Sequence, residues 1–227
     1  MKVIYRISDA GYAKIKPEYI DNKNCLKNAL KTFPQNKYDW LIIADNISEP
    51  TRDMIKSFYF GELMEVSVGH GAGTFNLALD AALKLSDDTA VYFLENDYLH
   101  KPMSDQILLE GLELGADYVS LYDHPDKYID GANPFVEGGG EITRVMLSKS
   151  CHWKFTNSTT MTFASTVSTL KEDEEVLRSY TKGSYPRDFD MFIELRSRNR
   201  SLVTPIPGYA THGETAWLSP LTKWEEQ

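Results

Sequence analysis

The sequence predicts an α/β fold built around a mostly parallel sheet with helices on both faces. Three observations lead there. Through the first 122 residues, short apolar runs alternate with helical patterns at the spacing of βα units. The apolar runs are nearly continuous rather than alternating, as in strands buried on both sides. Polar and acidic residues gather directly after those runs. The chain of 227 residues is long enough for one domain, 1–227, with an ordered α/β half at 1–122 and a mixed half at 123–227.

The elements follow in order. Lys2 to Ile7 reads as a strand. Asp21 or Asn22 can cap a helix whose apolar positions Cys25, Leu26, Ala29, Leu30 and Phe33 share one face. Asp39 to Ala44 is a second strand, and Glu49 to Tyr59 is a helix with Pro50 in its first turn, where proline is tolerated. Leu63 to Val68 is a weaker third strand, Thr74 to Leu85 an Ala/Leu-rich helix, and Ala90 to Leu94 a fourth strand. Ser104 opens a helix running to about Leu114 that Gly115 can end, and Val119 to Tyr122 is a fifth strand.

The second half changes character. Asp123 to Gly140 is a long Gly/Pro/Asp-rich loop, of the length that often carries function. Glu141 to Ser148 and Trp153 to Ser165 read as antiparallel strands. Thr169 to Tyr180 is a polar helix, Asp188 to Asn199 an amphipathic one, and Ser201 to Gln227 a tail rich in Pro and Trp.

Charge narrows the function. A net charge of −9 and a pI of about 5.1 argue against a nucleic-acid partner, which needs a basic face. An acidic protein can still take an anionic nucleotide if a divalent cation offsets the repulsion. Cys25 and Cys151 form no close motif, so they read as free thiols in a reducing compartment. The N-terminal apolar run is too short for a signal peptide, and no stretch reaches the ~18 apolar residues of a spanning helix. A cytoplasmic protein is the expectation.

Ligands of open parallel sheets bind beyond the carboxyl ends of the strands. The residues placed there are Ser8 and Asp9, then Asp45 and Asn46, then Gly69 to Gly73 with His70, then Glu95, Asn96 and Asp97, then Asp123 and His124. Glu95 and Asp97 stand two apart after a buried strand, and in extended backbone such residues project to one side. Two carboxylates there supply hard oxygen ligands for Mg²⁺ or Mn²⁺. The bland alternative is a solvated acidic turn.

The run VYFLENDYLH (91–100) resembles the acidic, DXD-type metal motif of GT-A glycosyltransferases, in particular those of family 2. The resemblance implies a GT-A fold, with a Rossmann-like nucleotide-binding half and a mixed acceptor half. It implies that Asp97 contacts the metal and that Glu95 lies nearer the ribose or acts through water; Asn96 departs from the usual acid. Three further segments are similar in order. VGHGAGTFNLALDAAL (68–83) resembles the small-residue loop that opens a helix, and implies Gly71, Gly73 and Asn76 as donor contacts, with tight turning and capping as the alternative.

RDFDMFIELR (187–196) resembles the family's acidic pair at a helix start and implies Asp188 as catalytic base, Asp190 as fallback, although Arg187 stands where the family has Glu. Simple helix capping is the alternative. His212, in ATHGETAW, looks like the late histidine that completes a metal shell, and would fit Mn²⁺ better than Mg²⁺. Arg6, Ser8, Asp9 and Asp45 fall where the family holds the nucleoside.

The N-terminal KVIYRISD also resembles small viral and bacterial glycosyltransferases. The implied reaction moves a sugar from a nucleotide-diphosphate donor, UDP-linked, to a glycan or other hydroxyl acceptor, with inversion. A nucleotidyltransferase is the competing enzyme, but its glycine-rich basic loop after the first strand is poorly matched by ISDAGYAKIK, with one glycine and two lysines. A catalytically inactive nucleotide- or carbohydrate-binding module is the non-enzyme reading.

Overall fold

The computed structural model describes residues 1–11 and 14–227. Along the chain it has β1 (Lys2–Ser8), α1 (Asn22–Thr32), β2 (Asp39–Asp45), α2 (Glu49–Phe58), β3 (Glu62–Val66), α3 (Gly71–Ala82), β4 (Ala90–Glu95), β5 (Tyr98–His100) and α4 (Ser104–Glu113). There follow β6 (Tyr118–Val119), β7 (Val136–Glu137), β8 (Gly140–Glu141), β9 (Val145–Leu147), β10 (His152–Phe155), β11 (Phe163–Thr166), α5 (Val167–Glu172), α6 (Glu174–Ser179), α7 (Asp188–Ser197), β12 (Leu202–Ile206) and β13 (Ala210–His212).

Strands from both halves enter one sheet of order β3-β2-β1-β4-β11-β6-β12-β10-β9. β3, β2, β1 and β4 are mutually parallel, so their carboxyl ends open on one edge. β11 runs antiparallel to both of its neighbours, β4 and β6. Successive residues of β1 point to opposite faces, and each face has its own core. Val3, Tyr5 and Ile7 pack with Leu26 and Phe33 of α1, Ile55 of α2, and Ile107 and Leu108 of α4. Ile4 packs on the other face with Phe75, Ala78 and Leu79 of α3, Leu170 of α5, Leu177 of α6, and Phe192 and Leu195 of α7. Full burial of each such aliphatic or aromatic side chain contributes about 1.5–3 kcal/mol.

Several expectations shift. α3 begins at Gly71 rather than Thr74, because the His70 imidazole Nδ1 accepts from Gly73 N at 3.0 Å and caps the helix through its glycines. The stretch Trp153 to Ser165 is two strands: the chain leaves β10 through a polar run, and β11 re-enters on the far side of β6 and β12. Glu141 to Ser148 likewise divides between β8, paired with β7 across the left-handed turn Gly138-Gly139 (φ +67° and +80°), and β9 on the sheet edge. Thr169 to Tyr180 breaks at Asp173 into α5 and α6. The buried Asp173 carboxylate accepts from Tyr118 Oη at 2.7 Å and Arg200 Nε at 2.8 Å.

The loop 123–140 is held down by buried charge. Lys154, on β10, pairs with Asp123 at 2.9 Å, and Tyr128 Oη donates to the same carboxylate at 2.7 Å. Lys127 Nζ donates to Asn157 Oδ1 at 2.8 Å and Ser158 Oγ at 2.7 Å. A small ladder also forms that the sequence did not announce: β13 pairs antiparallel with β5, setting His212 opposite Tyr98.

Candidate functional site

A cleft of ≈ 410 Å³ opens at the carboxyl ends of β1, β2 and β4 and the start of α3. Among its lining residues are Arg6, Ser8, Asp9, Asp45, Gly71, Glu95, Asn96 and Asp97, so the structure gathers these predicted positions around one space. Gly73, Asn76, Asp190, Asp188 and His212 are not in the lining, and each has a definite place.

Arg6 is almost fully buried at the end of β1. It donates to Gly71 O at 3.1 Å and Met161 O at 3.0 Å and pairs with Glu95 at 3.2 Å. One guanidinium thus joins β1, the start of α3, the segment before β11 and the last residue of β4. Asn96 continues the cross-bracing, donating to Ser8 O at 3.2 Å and to Asn22 Oδ1.

Asp9 accepts from Ser48 N at 2.6 Å and Thr51 Oγ1 at 2.7 Å, tying the end of β1 to the start of α2. Burial raises its pKa, but the hydrogen bonds from Thr51, Ser48 and Asn22 outweigh burial and lower it. Asp45 accepts from Val68 N at 2.7 Å and Gly69 N at 2.8 Å, fixing the loop into α3, where Gly69 takes φ +83°. Both carboxylates are engaged in positioning backbone at the rim.

On α3, Gly73 packs under Val68 and His70 where a Cβ would collide with both, and its N–H goes to His70. Asn76 turns to the segment just after α6, donating to Thr181 O at 3.0 Å and accepting from Thr181 Oγ1 at 3.1 Å.

Asp97 and His212 come together from distant parts of the sequence. Asp97 Oδ2 lies 3.3 Å from His212 Nε2, both side chains are nearly buried, and the β5–β13 ladder sets their separation. Lys16 Nζ stands 3.0 Å from Asp97 Oδ2, and Lys14 Nζ 2.9 Å from His212 Nε2. Burial would raise the Asp97 pKa, but His212, Lys16 and Lys14 outweigh it and hold the carboxyl well below the usual carboxylate range. Asp97 is therefore ionised at neutral pH.

Asp188 opens α7 beside the cleft and accepts from Phe189 N at 2.8 Å. Its pKa is raised to about 6, first by burial and then by the negative charge of Glu95. Asp190, two residues on, forms a surface ion pair with Arg187 at 2.6 Å.

Lys14, Lys16, Asn22, His70 and Tyr185 also line the cleft. The two lysines were visible in ISDAGYAKIK, at a spacing that lets both face one side, but the sequence offered no reason to bring their ammonium groups to Asp97 and His212.

Among the described residues, no group of three or more His, Cys, Asp or Glu is arranged to hold a metal ion. The donor chemistry of Asp97 and His212 nevertheless fits one. Two ligands bonded to a common ion at roughly 2.0–2.2 Å lie about 3 Å apart, close to the separation seen. A magnesium-type site commonly takes one or two protein ligands and completes its shell with phosphate oxygens and water.

The crystal structure of GalNAc-T7 with UDP, GalNAc and Mn²⁺ superposes on 96% of this chain with a TM-score of 0.61 and 13% identity. The fold is GT-A. A197 from STIV also aligns, over 98% of this chain and 92% of its own, at 14% identity and a TM-score of 0.48. This GT-A chain corresponds to 44% of the GalNAc-T7 chain, and at 13% identity the likeness is one of fold. No protein-family model and no curated protein sequence matches it.

Proposed function

We propose that this GT-A chain is a glycosyltransferase that moves a sugar from a nucleotide-diphosphate donor, UDP-linked, to a hydroxyl of a glycan or other acceptor. The observation that carries this reading is the convergence of Asp97 and His212 at the carboxyl edge of the parallel strands, with Asp97 lining a cleft that also gathers Arg6, Ser8, Gly71 and Glu95. The solved neighbour of the same fold holds UDP, GalNAc and Mn²⁺.

In this reading residues 1–122 hold the donor and 123–227 the acceptor, within one domain. Asp97 and His212 would hold Mn²⁺ or Mg²⁺, and Glu95, anchored by Arg6, lines the cleft beside Asp97. A divalent ion bound there would stabilise negative charge on the departing diphosphate. The rim set by Asp9 and Asp45 shapes the nucleoside end.

Asp188 acts as general base on the acceptor hydroxyl. A pKa raised to about 6 makes it a stronger base than an ordinary aspartate while leaving it ionised at pH 7. Attack on the sugar from the side opposite the diphosphate inverts the anomeric centre.

The test is a panel of nucleotide sugars screened by thermal shift with and without Mn²⁺, followed by measurement of UDP release with hydroxyl acceptors. Metal-dependent stabilisation by a UDP-sugar and acceptor-dependent release of UDP are expected. Release of pyrophosphate instead would point to nucleotidyl transfer, and binding with no release to an inactive module.

A further inference from the structure

Positive charge already stands where the proposed site needs a cation. Lys16 Nζ lies 3.0 Å from Asp97 Oδ2, Lys14 Nζ lies 2.9 Å from His212 Nε2, and Oδ2 and Nε2 are 3.3 Å apart. Nε2 faces both groups: protonated it donates to Asp97, and unprotonated it accepts through its ring lone pair from Lys14, whose ammonium can only donate. A metal ion bound by His212 would use that same lone pair. Lys16 competes in the same way for Asp97 Oδ2.

The two kinds of cation also repel one another. At separations of about 4 Å, and with little water between them, an ammonium and a divalent ion are strongly unfavourable neighbours. Both lysines line the donor cleft itself, together with Ser8, Gly71 and Glu95. Their flexible four-carbon stems let the charged ends move while the backbone stays in place, and the Lys16 side chain is 30% exposed. A diphosphate in the cleft would offer the displaced ammonium groups a new anionic partner.

We propose that Lys14 and Lys16 are exchangeable counter-ions: they neutralise the Asp97–His212 pair before the divalent ion arrives, and then transfer to the diphosphate of the donor. This rests on the metal-dependent reading given above. It predicts that metal and nucleotide bind cooperatively, since each favours release of the ammonium groups to the other's benefit. It also assigns donor-binding roles to two residues outside the acidic motif.

The experiment measures Mn²⁺ binding to the full chain from the paramagnetic resonance signal of free Mn²⁺, with and without UDP. The variants are Lys16→Met, Lys14→Met, Lys16→Arg and Asp97→Asn. Lys16→Met is expected to bind Mn²⁺ alone about ten-fold more tightly than the unaltered chain, which corresponds to loss of one competing charge. UDP should then improve its Mn²⁺ affinity by a smaller factor, and its affinity for UDP in the presence of Mn²⁺ should fall. Lys14→Met should change in the same direction. Lys16→Arg, which keeps the charge, should stay near the unaltered chain.

If both Met variants bind Mn²⁺ alone no more tightly than the unaltered chain while Asp97→Asn loses the ion, the exchange is overturned and the metal site stands. If Asp97→Asn retains full Mn²⁺ binding in the presence of UDP, the metal site itself is wrong, and the exchange falls with it.

Discussion

In the proposed reaction, Asp188 is the residue whose chemistry would report most directly on turnover. Its pKa of about 6 lies above the ordinary aspartate value, because burial and the charge of Glu95 disfavour its ionised form. Transfer should therefore fall as pH drops through about 6, where the base becomes protonated, and a pH–rate profile of kcat checks this. The same shift has a stability consequence of opposite sense. A carboxyl with a folded pKa above its unfolded one favours folding only at low pH, and that contribution is lost as pH rises from about 4 to 6. Asp188→Asn should thus unfold at higher denaturant concentration than the unaltered chain at pH 7.5, by up to about 2–3 kcal/mol. It should also keep donor binding and lose at least about 100-fold in transfer. Unchanged transfer would remove Asp188 from the base role. Asp97→Ala should abolish metal-dependent nucleotide binding, which calorimetry with UDP and Mn²⁺ reads directly. The acid pair itself was legible, since a buried strand that stops at Glu-Asn-Asp exposes carboxylates at a sheet edge. What each carboxylate touches was not. Asp9 and Asp45 looked equally available, and only the folded backbone shows them occupied by Ser48, Val68 and Gly69.

At the scale of elements, α3 and the loop 123–140 carry the clearest expectations. Gly73 sits where a methyl group would meet Val68 and the capping His70, so Gly73→Ala should cost about 1–3 kcal/mol despite the higher helix propensity of alanine. Urea denaturation measures it; a gain in stability would contradict the packing described. The loop depends on the Lys154–Asp123 pair, both partners being almost fully buried. Lys154→Met leaves Asp123 without its cation and should destabilise by about 3–5 kcal/mol, read in the same way. Helix starts were legible where a side chain announces them, as Asp21 does by accepting from Asn24 N. They were not legible where a histidine replaces the usual cap, which is why α3 was expected three residues late. The break at Asp173 was also hidden, because it is made by Tyr118 and Arg200 from other elements.

For the whole molecule, the parallel half was readable from pattern alone, since β1, β2 and β4 are continuous apolar runs with helices between them. The order of strands in the second half was not. Nothing local in Phe163–Thr166 says that this short strand will pass between β4 and β6 rather than stay beside β10. Its place is decided by ring contacts: Phe163 meets Phe93 of β4 at 5.4 Å, Tyr118 of β6 at 5.6 Å and Phe192 of α7 at 5.3 Å. The ladder of β13 on β5 has a consequence for biogenesis. His212 is delivered by a stretch made after the central strands, onto an aspartate translated long before it. A ribosome-bound intermediate can therefore assemble the parallel strands β1 to β4 while the Asp97–His212 pair is still unformed.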